Sequence, residues 1–120
     1  MHADLFEVRL ARVRHRFATS LASKIETAVV SANHMVSGNE GVTKRISESY
    51  RSLHAMCGIG STVGFAATGE AAHAAEVTLM QAYRESRGLT EREALSLKKA
   101  LEQLRVVAAS ELRLMYQRGG

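Results

Sequence analysis

The 120-residue sequence contains no proline, no tryptophan and a single cysteine, Cys57. Proline is the strongest helix breaker, and the β-branched residues lie scattered among good helix formers, so the composition favours helices throughout. One cysteine excludes an intramolecular disulfide and is consistent with a reducing cytoplasm. No apolar run approaches about 18 residues, the lower limit for a membrane span, and the N-terminus lacks the order of a signal peptide. We therefore expect an all-α, cytoplasmic protein that does not enter a membrane.

Hydrophobic residues make up 46% of the chain and charged residues 23%, which is ordinary for a folded domain. At this length we expect one domain over residues 1–120 that folds without metals or disulfides. The net charge is +4, and a basic cluster near the N-terminus consists of Arg9, Arg12, Arg14, His15 and Arg16. These side chains alternate with apolar ones at helical spacing, so we interpret them as a solvated helix face and expect no nucleic-acid partner.

Apolar residues at three- and four-residue steps predict four long helices. The first runs from about Asp4 to before Ser37, with an inward face of Leu10, Val13, Phe17, Leu21, Ile25, Ala28 and Ala32. The second begins at a cap formed by Ser37 with Glu40, or by Asn39 alone. Its inward stripe is Val42, Ile46, Tyr50 or Ser49, Leu53, Met56 and Gly60.

The third helix is predicted over roughly residues 68–86, with Ala72, Ala75, Leu79 and Ala82 or Tyr83 inward. Thr90 and Glu93 form a capping box that opens the fourth helix. Its inward residues are Leu97, Leu101, Leu104, Ala108, Leu112 and Met115. Four long helices joined by short loops predict an up-and-down antiparallel four-helix bundle.

His54 is the most informative residue because three glycines follow it inside a helical pattern: Gly58, Gly60 and Gly64. A glycine within a helix costs about 0.5–1 kcal/mol relative to alanine, so this group needs a reason. Gly58 lies one turn above His54 and would let a large partner reach the imidazole. Gly60 and Gly64 would permit tight helix packing or mark the helix end. The alternative is a helix terminus that carries an ordinary surface histidine.

The same run resembles the histidine-containing phosphotransfer (HPt) domain of two-component phosphorelays. That family shows a histidine, a leucine two residues later, a basic residue, a glycine, a small-residue stretch and a second glycine ten positions after the histidine. The matching residues here are His54, Met56, Gly58, Gly60, Ser61, Val63, Gly64 and Phe65, followed by the weaker pattern of Ala72, Ala75 and Glu76. The predicted helices extend the resemblance to nearly the whole chain.

The resemblance implies that His54 accepts a phosphoryl group and passes it to an aspartate of a response-regulator receiver domain. A hybrid histidine kinase would be the other partner, the Mg²⁺ would sit on the receiver, and this chain would bind no cofactor and no metal of its own. Phosphoryl transfer depends on positioning and charge neutralisation, which the receiver supplies. The sequence has no nucleotide-binding glycine loop, so we expect no autonomous kinase activity. We expect a monomer.

One position departs from the family pattern, since Cys57 stands where the family has lysine or arginine. A thiol cannot offset the charge of a phosphoryl group, and Arg51, one turn before His54, is the candidate substitute. The predicted receiver-docking surface consists of Arg51, Ala55, Gly58, Ser61 and Thr62. A degenerate HPt domain, or another helical adaptor, that binds a response regulator without transferring phosphate is the alternative function.

His54 and Cys57 are spaced three residues apart, as two ligands of a zinc site would be, with His73 as a third ligand, but a metal site is not predicted. No paired cysteine or histidine motif completes such a set. Nucleophilic chemistry at Cys57 is not predicted either, since a thiolate needs a base and an orienting group that the sequence does not reveal.

Overall fold

The computed structural model describes residues 2–118, with side chains for residues 5–118. Its four helices are α1 (His2–Ala32), α2 (Val42–Thr62), α3 (Ala66–Glu85) and α4 (Glu91–Gln117). Helix α1 packs against α2 and α4, and α3 packs against the same two helices. The prediction of an all-α four-helix bundle is therefore confirmed. No helix among residues 2–118 combines the length and apolar character needed to cross a membrane.

Most of the core comes from the apolar faces that periodicity predicted. The buried residues that match are Phe17, Leu21, Ile25, Ala28, Ala32, Ile46, Leu53, Met56, Ala72, Ala75, Leu79, Ala82, Leu97, Leu101, Leu104 and Ala108. Four further core residues, Met35, Val63, Phe65 and Leu89, lie in the connecting segments. Helical spacing cannot identify these four because they do not belong to a helix.

The N-terminal half of α1 departs from the predicted pattern. Val13 is 43% exposed, so its assignment to the buried face is wrong. The first buried residue of α1 is Phe17. The Nε of Arg14 donates a 2.7 Å hydrogen bond to the carbonyl of Val63, immediately after the end of α2. Residues of α1 before Arg14 therefore extend past α2, and Val13 loses the neighbour that would cover it.

The predicted caps of α2 are also wrong. The helix begins at Val42 after Gly41, which has a left-handed backbone with φ of 70°, and no side chain caps it. The amide of Ser37 donates to the carbonyl of Leu89 at 3.2 Å, and Asn39 bonds back to the carbonyl of Val36. Ser37 and Asn39 therefore make these hydrogen bonds to residues of the connecting segments and do not cap the first turn of α2. The capping box at Thr90 and Glu93 is confirmed.

Candidate functional site

Two glycines bring α2 and α3 into close contact beside the site. A Cβ atom on Gly60 would lie 3.2 Å from the carbonyl oxygen of Phe65 and 3.5 Å from the Cα of Gly69. A Cβ on Gly69 would lie 2.9 Å from Ser61 Oγ and 3.0 Å from the carbonyl oxygen of Cys57. The two helices approach this closely because neither position carries a side chain. The sequence analysis predicts tight packing at Gly60 but not at Gly69. Gly69 lies inside an alanine-rich helix, where a glycine has the same energetic cost and therefore gives the same indication of close packing.

Gly64 sets the direction of the chain between the two helices. Its φ is +92°, a left-handed conformation that favours glycine, and it lies two residues after Thr62, the last residue of α2. The amide of Phe65 then donates to the carbonyl of Gly60 at 2.8 Å, which closes a tight turn. Helix α3 consequently folds back along α2 and carries Glu76 to the level of His54.

The imidazole of His54 is hydrogen-bonded through one ring nitrogen and is otherwise largely exposed. Its side chain is 71% exposed, and Nδ1 lies 2.8 Å from Oε1 of Glu76, whose side chain is only 4% exposed. An ionised carboxylate accepts hydrogen bonds and cannot donate them, so the contact favours the tautomer with its proton on Nδ1. Nε2 then carries the free lone pair and faces away from the carboxylate.

Aromatic rings restrict the imidazole further. The ring of Tyr50, one turn earlier on α2, lies nearly parallel to that of His54, with centroids 6.2 Å apart and an angle of 8°. Tyr50 in turn stacks on Tyr83 of α3 at 4.2 Å. Offset stacking of this kind stabilises ring orientation. The hydrogen bond and the stack together orient His54 without covering it.

The surface around His54 is open, as the sequence predicted. A Cβ atom on Gly58 would meet no atom within 4 Å. The five predicted docking residues, Arg51, Ala55, Gly58, Ser61 and Thr62, are all exposed. At 3.6 residues per turn they fall within about 120° of the circumference of α2, on the side that includes His54. Ser61 and Thr62 use their hydroxyls to bond carbonyls one turn earlier, those of Cys57 and Gly58.

The two residues predicted to neighbour a phosphoryl group differ in their surroundings. Cys57 is half-buried and faces the contact between α2 and α3. Arg51 is exposed and lines a shallow groove with Tyr83 and Arg84. Whether either side chain neighbours a phosphoryl group stays a prediction.

The structure also groups three possible metal ligands that the sequence did not combine. Cys57, His73 and Glu76 each offer one ligand atom, and these atoms lie within 4.8 Å of one another. The set considered from the sequence was His54, Cys57 and His73; in the structure Glu76 replaces His54 as the third possible ligand. Glu76 joins the set because α2 and α3 pack together with the side chain of Cys57 directed towards α3.

Taken together, the arrangement presents an oriented, exposed imidazole nitrogen on a helix face that is open to a partner protein. Such a nitrogen can act as a nucleophile towards phosphorus. Comparisons of the chain with protein-family models, with curated proteins and with solved structures found no match.

Proposed function

We propose that this chain is a histidine phosphotransfer protein that relays a phosphoryl group through His54 between receiver-domain aspartates. The observation that carries the proposal is the pair of His54 and Glu76, in which a buried carboxylate holds Nδ1 and leaves Nε2 exposed. This geometry supplies what a phosphoacceptor needs, namely the right tautomer, a fixed ring and access for a partner.

The chemistry consists of two displacements at phosphorus. The Nε2 lone pair of His54 forms a bond to phosphorus while the bond from phosphorus to an aspartyl oxygen of the donor receiver breaks. In the second step a carboxylate of the acceptor receiver attacks, and the phosphorus–nitrogen bond breaks. The proton on Nδ1 remains hydrogen-bonded to Glu76 throughout, so no separate general base is needed. Mg²⁺ on the receiver supplies charge neutralisation.

The partners in this proposal are response-regulator receiver domains and a hybrid histidine kinase, and the protein acts as a cytoplasmic monomer. The exposed surface formed by Arg51, Ala55, Gly58, Ser61 and Thr62 is the docking surface. Receiver domains carry acidic residues around their phosphorylation site, which suits the positive net charge of this chain.

A second candidate function is favoured by Cys57. The thiol cannot neutralise a phosphoryl group, which makes an adaptor that binds a receiver without transfer the alternative. A receiver phosphorylated on its aspartate, mixed with wild type and with His54→Gln, separates the two functions. Receiver binding by both proteins with transfer to wild type alone supports the relay. Binding without transfer to either protein supports the adaptor.

A further inference from the structure

A cluster of three side chains with metal-binding chemistry lies beside His54, across the contact between α2 and α3. Cys57 comes from α2, whereas His73 and Glu76 lie one turn apart on the same face of α3. The ligand atoms of the three residues lie within 4.8 Å of one another. His73 Nδ1 is 3.7 Å from Oε2 of Glu76, too far for a hydrogen bond between them.

The second carboxylate oxygen of Glu76 points to a cationic ligand. Glu76 is 3% exposed, and its Oε2 is fully buried without a hydrogen-bond partner among the described residues. Oε1 is already used by His54. Buried carboxylate oxygens are normally paired, since an unpaired one loses its hydration without compensation. This orphaned oxygen faces the side of the cluster that His73 occupies.

We propose that Cys57, His73 and Glu76 bind Zn²⁺, through Sγ, an imidazole nitrogen and Oε2, with water as the fourth ligand. Thiolate, imidazole and carboxylate are the ligand types that zinc takes, and three protein ligands with one open position is an established arrangement for it. Ligand bonds of about 2.0–2.3 Å place tetrahedral ligand atoms about 3.5 Å apart. The 3.7 Å distance between His73 Nδ1 and Glu76 Oε2 already matches this spacing. All three ligand atoms lie within 4.8 Å of one another, so only a small side-chain adjustment is needed to bind the ion.

Charge and proton balance are consistent with a divalent ion. Binding converts the Cys57 thiol to a thiolate, and its proton is released to solvent. The thiolate and the Glu76 carboxylate together then neutralise the two positive charges of the ion.

Glu76 links the zinc site to His54. Its Oε1 accepts from Nδ1 of His54 while Oε2 would coordinate the ion, an arrangement in which one carboxylate is shared between an imidazole and a metal. Zinc withdraws electron density from the carboxylate, so occupancy should alter the environment of the His54 ring. This link depends on the observed hydrogen bond and not on the proposed phosphotransfer.

The test uses the full chain, reduced and freed of metal with a chelator, and adds Co²⁺ or Zn²⁺ alone. Cobalt should produce a near-ultraviolet thiolate charge-transfer band and the visible bands of a tetrahedral site. Competition with a chromophoric chelator measures zinc affinity, which should fall in Cys57→Ser, His73→Gln and Glu76→Gln. Losing a residue that only hydrogen-bonds to a metal ligand typically weakens metal binding by about 10- to 100-fold, so losing a direct ligand should weaken zinc binding by more than this.

Matched controls are His34→Gln and Glu70→Gln, two exposed residues outside the cluster that should leave the affinity unchanged. His73 is itself largely exposed, so His73→Gln tests the site even where a change at buried Glu76 perturbs folding. Zinc should also shift the His54 ring resonances of wild type and not those of Cys57→Ser.

Absence of the charge-transfer band, or equal zinc affinity in wild type and His73→Gln, would overturn the proposal. Unchanged His54 resonances in zinc-loaded wild type would overturn the assignment of Glu76 as the shared ligand.

Discussion

Nδ1 of His54 lies 2.8 Å from Oε1 of Glu76, and the contact joins an exposed side chain of α2 to a buried one of α3. Glu76 therefore acts on the imidazole by fixing its tautomer and its rotation, while the other ring nitrogen stays accessible. Within the proposed function this makes Glu76 a positioning residue.

Replacing Glu76 by alanine should slow phosphorylation of His54. A hydrogen bond to a charged group contributes about 1.5–3 kcal/mol, which corresponds to about a 13- to 160-fold change in rate. The rate of phosphohistidine formation from a small phosphoramidate donor measures the effect, and Glu70→Ala, at an exposed position of the same helix, is the control. Glu76→Gln keeps an acceptor oxygen and should recover part of the rate. Equal rates in wild type and Glu76→Ala would remove the positioning role.

Gly58 should tolerate a side chain in the fold but not in the complex. Nothing lies within 4 Å of an added Cβ, so Gly58→Ala should stabilise the helix by about 0.5–1 kcal/mol and preserve transfer. Gly58→Arg should fold equally well and block the receiver, because the long side chain stands over His54. Urea unfolding and a transfer assay on both variants check this. Retained transfer in Gly58→Arg would contradict the docking surface.

Cys57→Lys should accelerate transfer by restoring a cation near the phosphoryl group. Exposed charge pairs contribute about 0.2–1 kcal/mol, so the gain should be about 1.4- to 5-fold. Cys57→Ser removes the thiol without adding charge and is the control in the same assay. A Cys57→Lys variant slower than wild type would indicate that the site is adapted to something other than a cation at this position.

Gly69→Ala should destabilise the bundle, in contrast to Gly58→Ala. The added Cβ would lie 3.0 Å from the carbonyl oxygen of Cys57, a backbone atom that cannot move without shifting α2. Overpacking of this kind costs about 1–3 kcal/mol. Chemical denaturation of the two alanine variants measures the difference, and equal stabilities would show that the helices do not depend on this close approach.

Stability should fall in acid through Glu93. Hydrogen bonds from Arg87 lower the pKa of Glu93 from 4.5 to about 2, with a smaller lowering contribution from Thr90. A carboxylate whose pKa is lower in the folded state adds stability that is complete above pH 4.5 and is lost as the pH falls towards 2. Unfolding midpoints over this range should depend less on pH in Glu93→Gln. The control is Glu91→Gln, an exposed residue of the same turn, which should keep the wild-type slope; equal slopes in all three proteins would contradict the assignment.

Helix faces and one capping box could be predicted because they depend on local periodicity. Leu53, Leu79 and Leu101 are buried as their spacing requires, and Thr90 caps α4 through residues that lie three positions apart. The failures have tertiary causes. Val13 has the spacing of the inward face but lies beyond the end of α2 and is exposed, and Asn39 bonds within a loop instead of capping a helix.

The candidate site could be located from sequence only in part. The glycines after His54 identified the exposed histidine and its open face, because their cost within a helix needs an explanation. The sequence does not predict how Tyr83, His73 and Oε2 of Glu76 are arranged around His54, since that arrangement depends on how α3 packs against α2. Spacing along one helix carries no information about that pairing.

The central claim, that His54 is a phosphoacceptor, is tested most directly by phosphorus NMR after treatment with a small phosphoramidate donor. Wild type should give a phosphohistidine signal that His54→Gln lacks and His34→Gln retains, and a receiver domain with Mg²⁺ should discharge it. A signal of equal intensity in His54→Gln, or none in wild type, would contradict the account.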